Sequence, residues 1–323
     1  DMDSRIEAQN TRGIVAKAKV GRSKQLWKAI KKDWQLYTLL LLPLVHYFIF
    51  RYIPMYGVII AFRRYQPGGP VYGSEWVGLR YFQMFFRDQG FWRAFRNNII
   101  LSVEYLVISF PFPIIFALLL NELKNLTFKK FVQTVSYLPH FISTVIVVGM
   151  IKEILSPSIG VVNMILKDLT GRTIDFVSDP RWFRTIYITS GIWQQLGWNS
   201  IIYLAALSGI NPELYEAARI DGANRFQQMR YVTIPGIMPT VMVLLILNIG
   251  SLMAVGFEKI LLLYSPLTYE TADVISTFLY RMGLTMNNYS YGAAVGLFES
   301  LIGVFLLTTA NYLSRKFTDS SLW

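Results

Sequence analysis

The sequence predicts an all-α membrane protein with six transmembrane helices and a polar cytoplasmic loop between the fourth and fifth. Three observations carry this. The chain is 53% hydrophobic and only 16% charged, where soluble globular chains carry about 25% charge. Its apolar residues gather into runs that can cross a bilayer, which takes roughly 20 residues each. Between two of those runs, "EAARIDGANRFQQMRYVTIP" (Glu216 to Pro235) is mostly polar and regularly spaced.

The first span starts near Leu36 in "LYTLLLLPLVHYFIF" and reaches Arg51, which can snorkel to the far interface. The others are read as Ile99 to Leu120, Phe131 to Ile151, Ile186 to Leu207, Ile237 to Tyr264 and Tyr291 to Leu313. Pro111 and Pro113 bend the second, which neighbouring helices tolerate by satisfying the freed carbonyls. Two longer connections remain. The stretch from Arg63 to Phe86 has turn residues followed by Trp76, Tyr81, Phe82, Phe85 and Phe86, which suit a membrane-interface helix. Ser156 to Pro180 reads as a short amphipathic helix between turns.

Lys and Arg in the flanks orient the chain. Residues 1–35 form a basic segment holding nine Lys and Arg between Arg5 and Lys32, and lack the apolar run of a cleavable signal peptide. That segment is expected in the cytoplasm. An even number of spans brings the tail, 317–323, and the loops near Lys124 and Glu216 to the same side. Against the rule, the first external connection carries Arg63, Arg64, Arg80, Arg87, Arg93 and Arg96. The net charge of +11 does not indicate nucleic acid, because the basic residues flank membrane-type runs. With no cysteine, disulfides and thiolate metal sites are excluded.

Placed on a helix, Tyr215, Ala218, Gly222, Phe226 and Met229 form one apolar stripe, with Glu216, Arg219, Asp221 and Arg225 mostly off it. Asn211 followed by Pro212 is a helix start, and Gly222 permits a bend or the close approach of another backbone. By periodicity alone, this is a helix lying on the inner leaflet or one that docks a partner.

The loop resembles the signature of ABC-importer permease subunits, which reads Glu-Ala-Ala, three residues, Gly, nine residues, Ile-x-Leu-Pro. Here Glu216-Ala217-Ala218, Gly222 and Val232-Thr233-Ile234-Pro235 keep the spacing, with Val232 and Ile234 as mild departures. "INPELYEAARIDGA" and "VNMILKDLTGRTIDFVSDP" are similar to the maltose-type, carbohydrate-importing branch. "FIFRYIPMYGVIIAF" and "GSEWVGLRYFQMFF" are similar to a subgroup that moves oligosaccharides and polysaccharides and includes a bacterial alginate importer. The resemblance covers nearly the whole chain, a permease domain at 36–316 with its core at about 95–313 and a coupling loop at 211–236. It implies a bacterial inner-membrane subunit that pairs with a second permease, two ATPase subunits and an extracytoplasmic solute-binding protein. The loop would dock on the ATPase through Tyr215, Glu216, Ala217, Ala218, Arg219, Asp221, Gly222 and Phe226.

No G-x-x-x-x-G-K-[ST] loop is present, so ATP and Mg are expected on the partners, with no cofactor here. No catalytic or metal-ligand motif is present either, and His46 and His140 read as packed residues. Glu104, Glu258, Lys259 and Glu299 are the ionisable residues within spans, beside Lys152 and Glu153 at a span end. Sugars need aromatic faces and amides. Span four offers Gln194, Gln195, Trp198 and Asn199, which also suit a tryptophan belt and interhelical hydrogen bonds. The maltose-type pattern places contacts at Gln194, Gln195, Trp198, Gly256 and Lys259, of which only Trp198 keeps the aromatic character. A lysine there suits an acidic sugar such as alginate, unless Glu258 neutralises it. The other class left open is a stand-alone secondary transporter or channel for a small polar solute.

Overall fold

The computed structural model describes residues 31–70, 73 and 75–318; the basic cluster from Arg5 to Lys28 and residues 319–323 lie outside the described residues. The chain divides into two compact units, 1–59 and 60–323. In the first, α1 (Trp34–Tyr47) runs into a π turn at Phe48–Tyr52. Its run of leucines is apolar on every side, the pattern of a helix made for lipid.

The second unit begins with a two-residue antiparallel ribbon, β1 (Arg63–Arg64) on β2 (Glu75–Trp76), in which Arg64 faces Glu75. Next come α2 (Arg80–Arg87), α3 (Gln89–Ser109), α4 (Pro111–Glu122), α5 (Leu126–Tyr137), α6 (Thr144–Ile154), α7 (Val161–Thr170) and α8 (Pro180–Ser208). After them come α9 (Pro212–Ile220), α10 (Arg225–Gln228), α11 (Ile234–Gly250), α12 (Phe257–Leu263), α13 (Ile275–Leu279) and α14 (Tyr289–Thr318). Many starts are fixed locally. Asp88, Asn125, Ser143, Asp179, Asn211 and Asn224 each cap the helix that follows with a side-chain oxygen. At Asp179, hydrogen bonds from Arg181 also hold the carboxyl below its usual range.

Among the described residues four helices are long and apolar enough to cross a membrane: Trp34–Phe62, Gln89–Glu122, Arg225–Gly250 and Tyr289–Lys316. The expected third span is not one straight helix. Pro139 lies in a short 3-10 turn, Leu138–Phe141, and Ser143 starts a new helix, so the chain bends by 98° between Leu126–Phe141 and Thr144–Ile154. Counting that bent pair as one span gives five. α8, with 29 residues, is about 43 Å long, but Gln194, Gln195 and Asn199 lower its hydropathy. The expected fifth span is also broken. α11 stops at Gly250 and helix resumes only at Phe257.

Aromatic residues make the first core. Phe85 of α2 is fully buried against Phe91, Tyr291 and Phe298 of α3 and α14. Of the segment expected to lie at the membrane interface, Phe85 and in part Tyr81 and Phe82 pack into the protein, while Trp76 and Phe86 stay exposed. A second cluster, with Leu101, Val148, Tyr187 and Ile260, joins α3, α6, α8 and α12. A third, with Ala117, Tyr203, Leu207 and Ile237, joins α4, α8 and α11. At Gly197 of α8 the backbone of α5 is so close that an added methyl would meet the Ser136 carbonyl.

Candidate functional site

Three neighbouring cavities lie between α3, α8 and the broken helix α11–α12. One, of about 310 Å³, is lined by Gln195, Trp198 and Asn199 of α8 and by Asn248 of α11. A second, of about 300 Å³, contains Gln194, Gln195, Gly256, Glu258 and Lys259. The third, of about 270 Å³, runs along the break with Asn248, Ser251 and Gly256.

The break has a definite cause. Asn98 of α3 donates to the Met253 carbonyl, and the Ser102 hydroxyl donates to the Leu252 carbonyl. Each bond takes a carbonyl that a continuous helix would use for itself. The Gly256 amide donates to the Tyr187 hydroxyl at 3.2 Å. Irregular backbone at membrane depth is tolerated where it lines a cavity or is buried in protein, and here it does both.

The six residues expected along a substrate path gather here, with unequal roles. Gln194 is buried and donates to the Ile142 carbonyl at 3.0 Å. Gln195 Oε1 lies 2.9 Å from His140 Nδ1, and the His140 ring stacks on Trp198 with centroids 4.2 Å apart. Gln194, Gln195 and Trp198 therefore hold the bend between α5 and α6 against α8, as well as lining cavities. Trp198 and Asn199 stay exposed. Lys259 is 9% exposed. Its ammonium sits 5.5 Å from the Tyr187 ring centroid, and it forms no ion pair among the described residues, with Glu258 or any other group. Glu104 pairs instead with Arg184 at 3.4 Å.

Sequence reasoning missed Tyr105 and Tyr187, whose rings lie 5.8 Å apart beside all this. Each is one aromatic residue in an apolar span, and nothing in its spacing marks it out. It also missed Asp273, which is fully buried and receives Arg281 at 2.7 Å and Arg93 at 3.7 Å. Asn97 of α3 donates to the Glu270 and Asp273 carbonyls on the same segment.

The loop between α8 and α11 is two short helices, not one stripe. α9 ends in a Schellman turn. The Ala223 amide donates to Ala218, the Gly222 amide donates to Arg219, and Gly222 has φ +82°. Nothing lies within 4 Å of a Cβ built at Gly222, so the glycine serves the turn and not the close approach of a backbone. Asn224 and Gln227 then form a capping box for α10. Tyr215 and Ala218 turn inward, and the Tyr215 hydroxyl is 3.0 Å from the Thr233 hydroxyl at the root of α11. Glu216, Ala217, Arg219 and Asp221 are exposed. The exposed apolar side chains are Leu214, Ile220 (87%), Phe226 (72%) and Tyr231. Arg219 and Arg225 line a polar cavity of about 610 Å³ with Glu122 and Lys124.

Residues 92–319 match the family described as "Binding-protein-dependent transport system inner membrane component". The chain belongs to that family. It is 44% identical over 295 residues to Protein LplB of Bacillus subtilis (strain 168), covering 91% of this chain and 93% of that one. It is 41% identical over 302 residues to the polygalacturonan/rhamnogalacturonan transport system permease protein YteP of the same organism, covering 94% of both. Among solved structures it is similar to a chain of a bacterial ABC transporter involved in the import of the acidic polysaccharide alginate. There the TM-score is 0.83 and the identity 46%, over 91% of this chain and 99% of that one. This protein is a multi-pass membrane permease, a transport component and not the ATPase.

Proposed function

We propose that this chain is one of two permease subunits of an ATP-driven importer that moves an acidic oligosaccharide into the bacterial cytoplasm. A binding protein delivers the cargo and two ATPase subunits supply the energy. Lys259 carries the reading. It is a buried cation without a counter-ion among the described residues, at the resumption of a broken helix and on the wall of a polar cavity. Ionisable residues within a membrane bundle are functional candidates by default, and a uronate carboxylate would supply the missing charge. Trp198 offers an aromatic face, and Asn199 and Asn248 offer amides, in the adjoining cavity. Alginate and polygalacturonan/rhamnogalacturonan, the cargoes named for proteins 46% and 41% identical to this chain, both contain uronates, whereas relatives at 26–30% identity are named for neutral sugars such as lactose and arabinooligosaccharides.

On this reading α8 is the sixth span. Its amides bind the α5–α6 bend, so they need not face lipid. Six spans put both termini in the cytoplasm, with the basic segment 1–35 and the tail 317–323 flanking a permease domain at 36–316. The loop 211–236 then faces the ATPase, and Leu214, Ile220 and Phe226 bury their exposed surface on it. Glu216, Arg219 and Asp221 orient the contact. The Tyr215–Thr233 bond ties α9 to the root of α11, whose other end is the break beside Lys259. A displacement of the loop by ATP-driven closure thus reaches the cavities along one helix, and access alternates.

Uptake of a labelled uronate oligosaccharide by cells carrying Lys259→Met tests the cargo. Uptake should fall about tenfold or more, the size of one lost charge-assisted contact, with Lys259→Arg retaining most of it. Unchanged uptake in Lys259→Met would sink the acidic cargo. A photoreactive residue at Ile220 should form an adduct with an ATPase subunit. Labelling of lipid alone would favour a transporter that works without one.

A further inference from the structure

We infer that Tyr105 is the gate residue of the transport path, and that Gly191 is the seat on which its ring closes. The inference rests on the proposed path and adds the element that controls passage along it. Each of the three cavities has its own chemistry, and Tyr105 alone lines all three. An extended sugar chain reaching from the Trp198 side to the Lys259 side has to pass its ring. Each cavity is near the lower limit of ligand pockets, about 300 Å³, so a cargo of several sugar units needs them joined.

The ring position depends on a missing side chain. A Cβ built at Gly191 would lie 2.7 Å from Tyr105 Cε2 and 3.1 Å from its hydroxyl. Gly191 is buried in the middle of α8, where glycine weakens a helix, and what it provides is a slot for this ring. Tyr187 bounds the ring on another side, and its hydroxyl holds the Gly256 amide of the broken helix. Rotation of Tyr105 is thereby coupled to the segment that α11 moves. Seated on Gly191, as here, the ring stands between the three cavities; leaving the seat lets them join, and returning to it closes the path again.

The test is a pair of substitutions and their combination in the full chain, in cells with its native partners. Gly191→Ala removes the seat and should lower uptake of labelled uronate oligosaccharide about tenfold, with the chain still reaching the membrane. Tyr105→Ala removes the ring, so the double variant should transport to within about twofold of Tyr105→Ala alone. Wild-type uptake by Gly191→Ala, or a double variant that transports more than about twofold below Tyr105→Ala alone, overturns the gate. A second readout does not depend on the cargo. Because this 323-residue sequence has no cysteine, Tyr105→Cys can be probed alone in it with a small membrane-impermeant thiol reagent. Reaction at that position supports a water-filled junction. No reaction overturns the inference, even if the cargo proves not to be a uronate.

Discussion

Two irregular segments of this protein are built in opposite ways. The segment from Ser251 to Asn288 is stitched inward. Asn97, Asn98 and Ser102 of α3 bind its carbonyls, and buried Asp273 gathers Arg93 and Arg281. The loop from Gly209 to Thr233 is satisfied mainly by its own caps and turns, and it leaves Ile220 and Phe226 outside. The first segment takes its ties from a distant helix, although Leu267, Leu284 and Met286 stay exposed. The second takes its ties from itself and exposes Ile220 and Phe226 more fully, at 87% and 72%, the kind of apolar surface that marks an interaction site.

The contrast can be broken by substitution. Asp273→Ala leaves two guanidiniums without their buried carboxylate and should destabilise the detergent-solubilised chain by about 3–5 kcal/mol. A thermal melt matching wild type would show that the inward segment does not depend on this cluster. Asn98→Ala strips the Met253 carbonyl of its donor and should lose about 1–3 kcal/mol, read by the same melt. Gly222→Asp places a residue that tolerates left-handed backbone at φ +82° with open space around it, so its stability should fall by only about 1 kcal/mol. Transport should nonetheless be abolished, because the charge sits on the docking face; normal uptake would remove the loop from coupling. Ile220→Ser is the finest probe. Stability should stay within about 0.5 kcal/mol of wild type, while ATPase co-purification drops.

What was legible in the sequence follows the range of the interactions. The helix start at Asn211, the amphipathic helix after Ser156 and the bend at Gly222 are written within a few residues and were read there; the caps at Asn125 and Asn224 are equally local but were passed over. The bend at Pro139 is local too, although a continuous apolar run hid it. The break at Ser251–Gly256 was not legible, because "NIGSLMAVGF" reads as uninterrupted apolar sequence. The donors that open it, Asn98 and Ser102, lie about 150 residues away. Tyr105 was hidden in the same way, since Tyr187 and Gly191, which define its place, lie more than about 80 residues further along the chain. The stripe from Tyr215 to Met229 failed for a local reason, since helical periodicity was carried past Asp221, where the Schellman turn resets the phase. The residues that stripe placed outside, Tyr215 and Ala218, turn inward.

The Gly197 contact decides how these helices can move. Two helices separated by a layer of side chains can slip, because rotamers yield. At Gly197 of α8 there is no such layer, and the glycine faces the Ser136 carbonyl of α5 directly. At that point the pair behaves as a welded joint. α9 begins at Pro212, a few residues beyond the end of α8 at Ser208. On the proposed coupling, a push delivered at α9 would reach α5 through this joint, and the bend at Leu138–Phe141 would take it up as rotation.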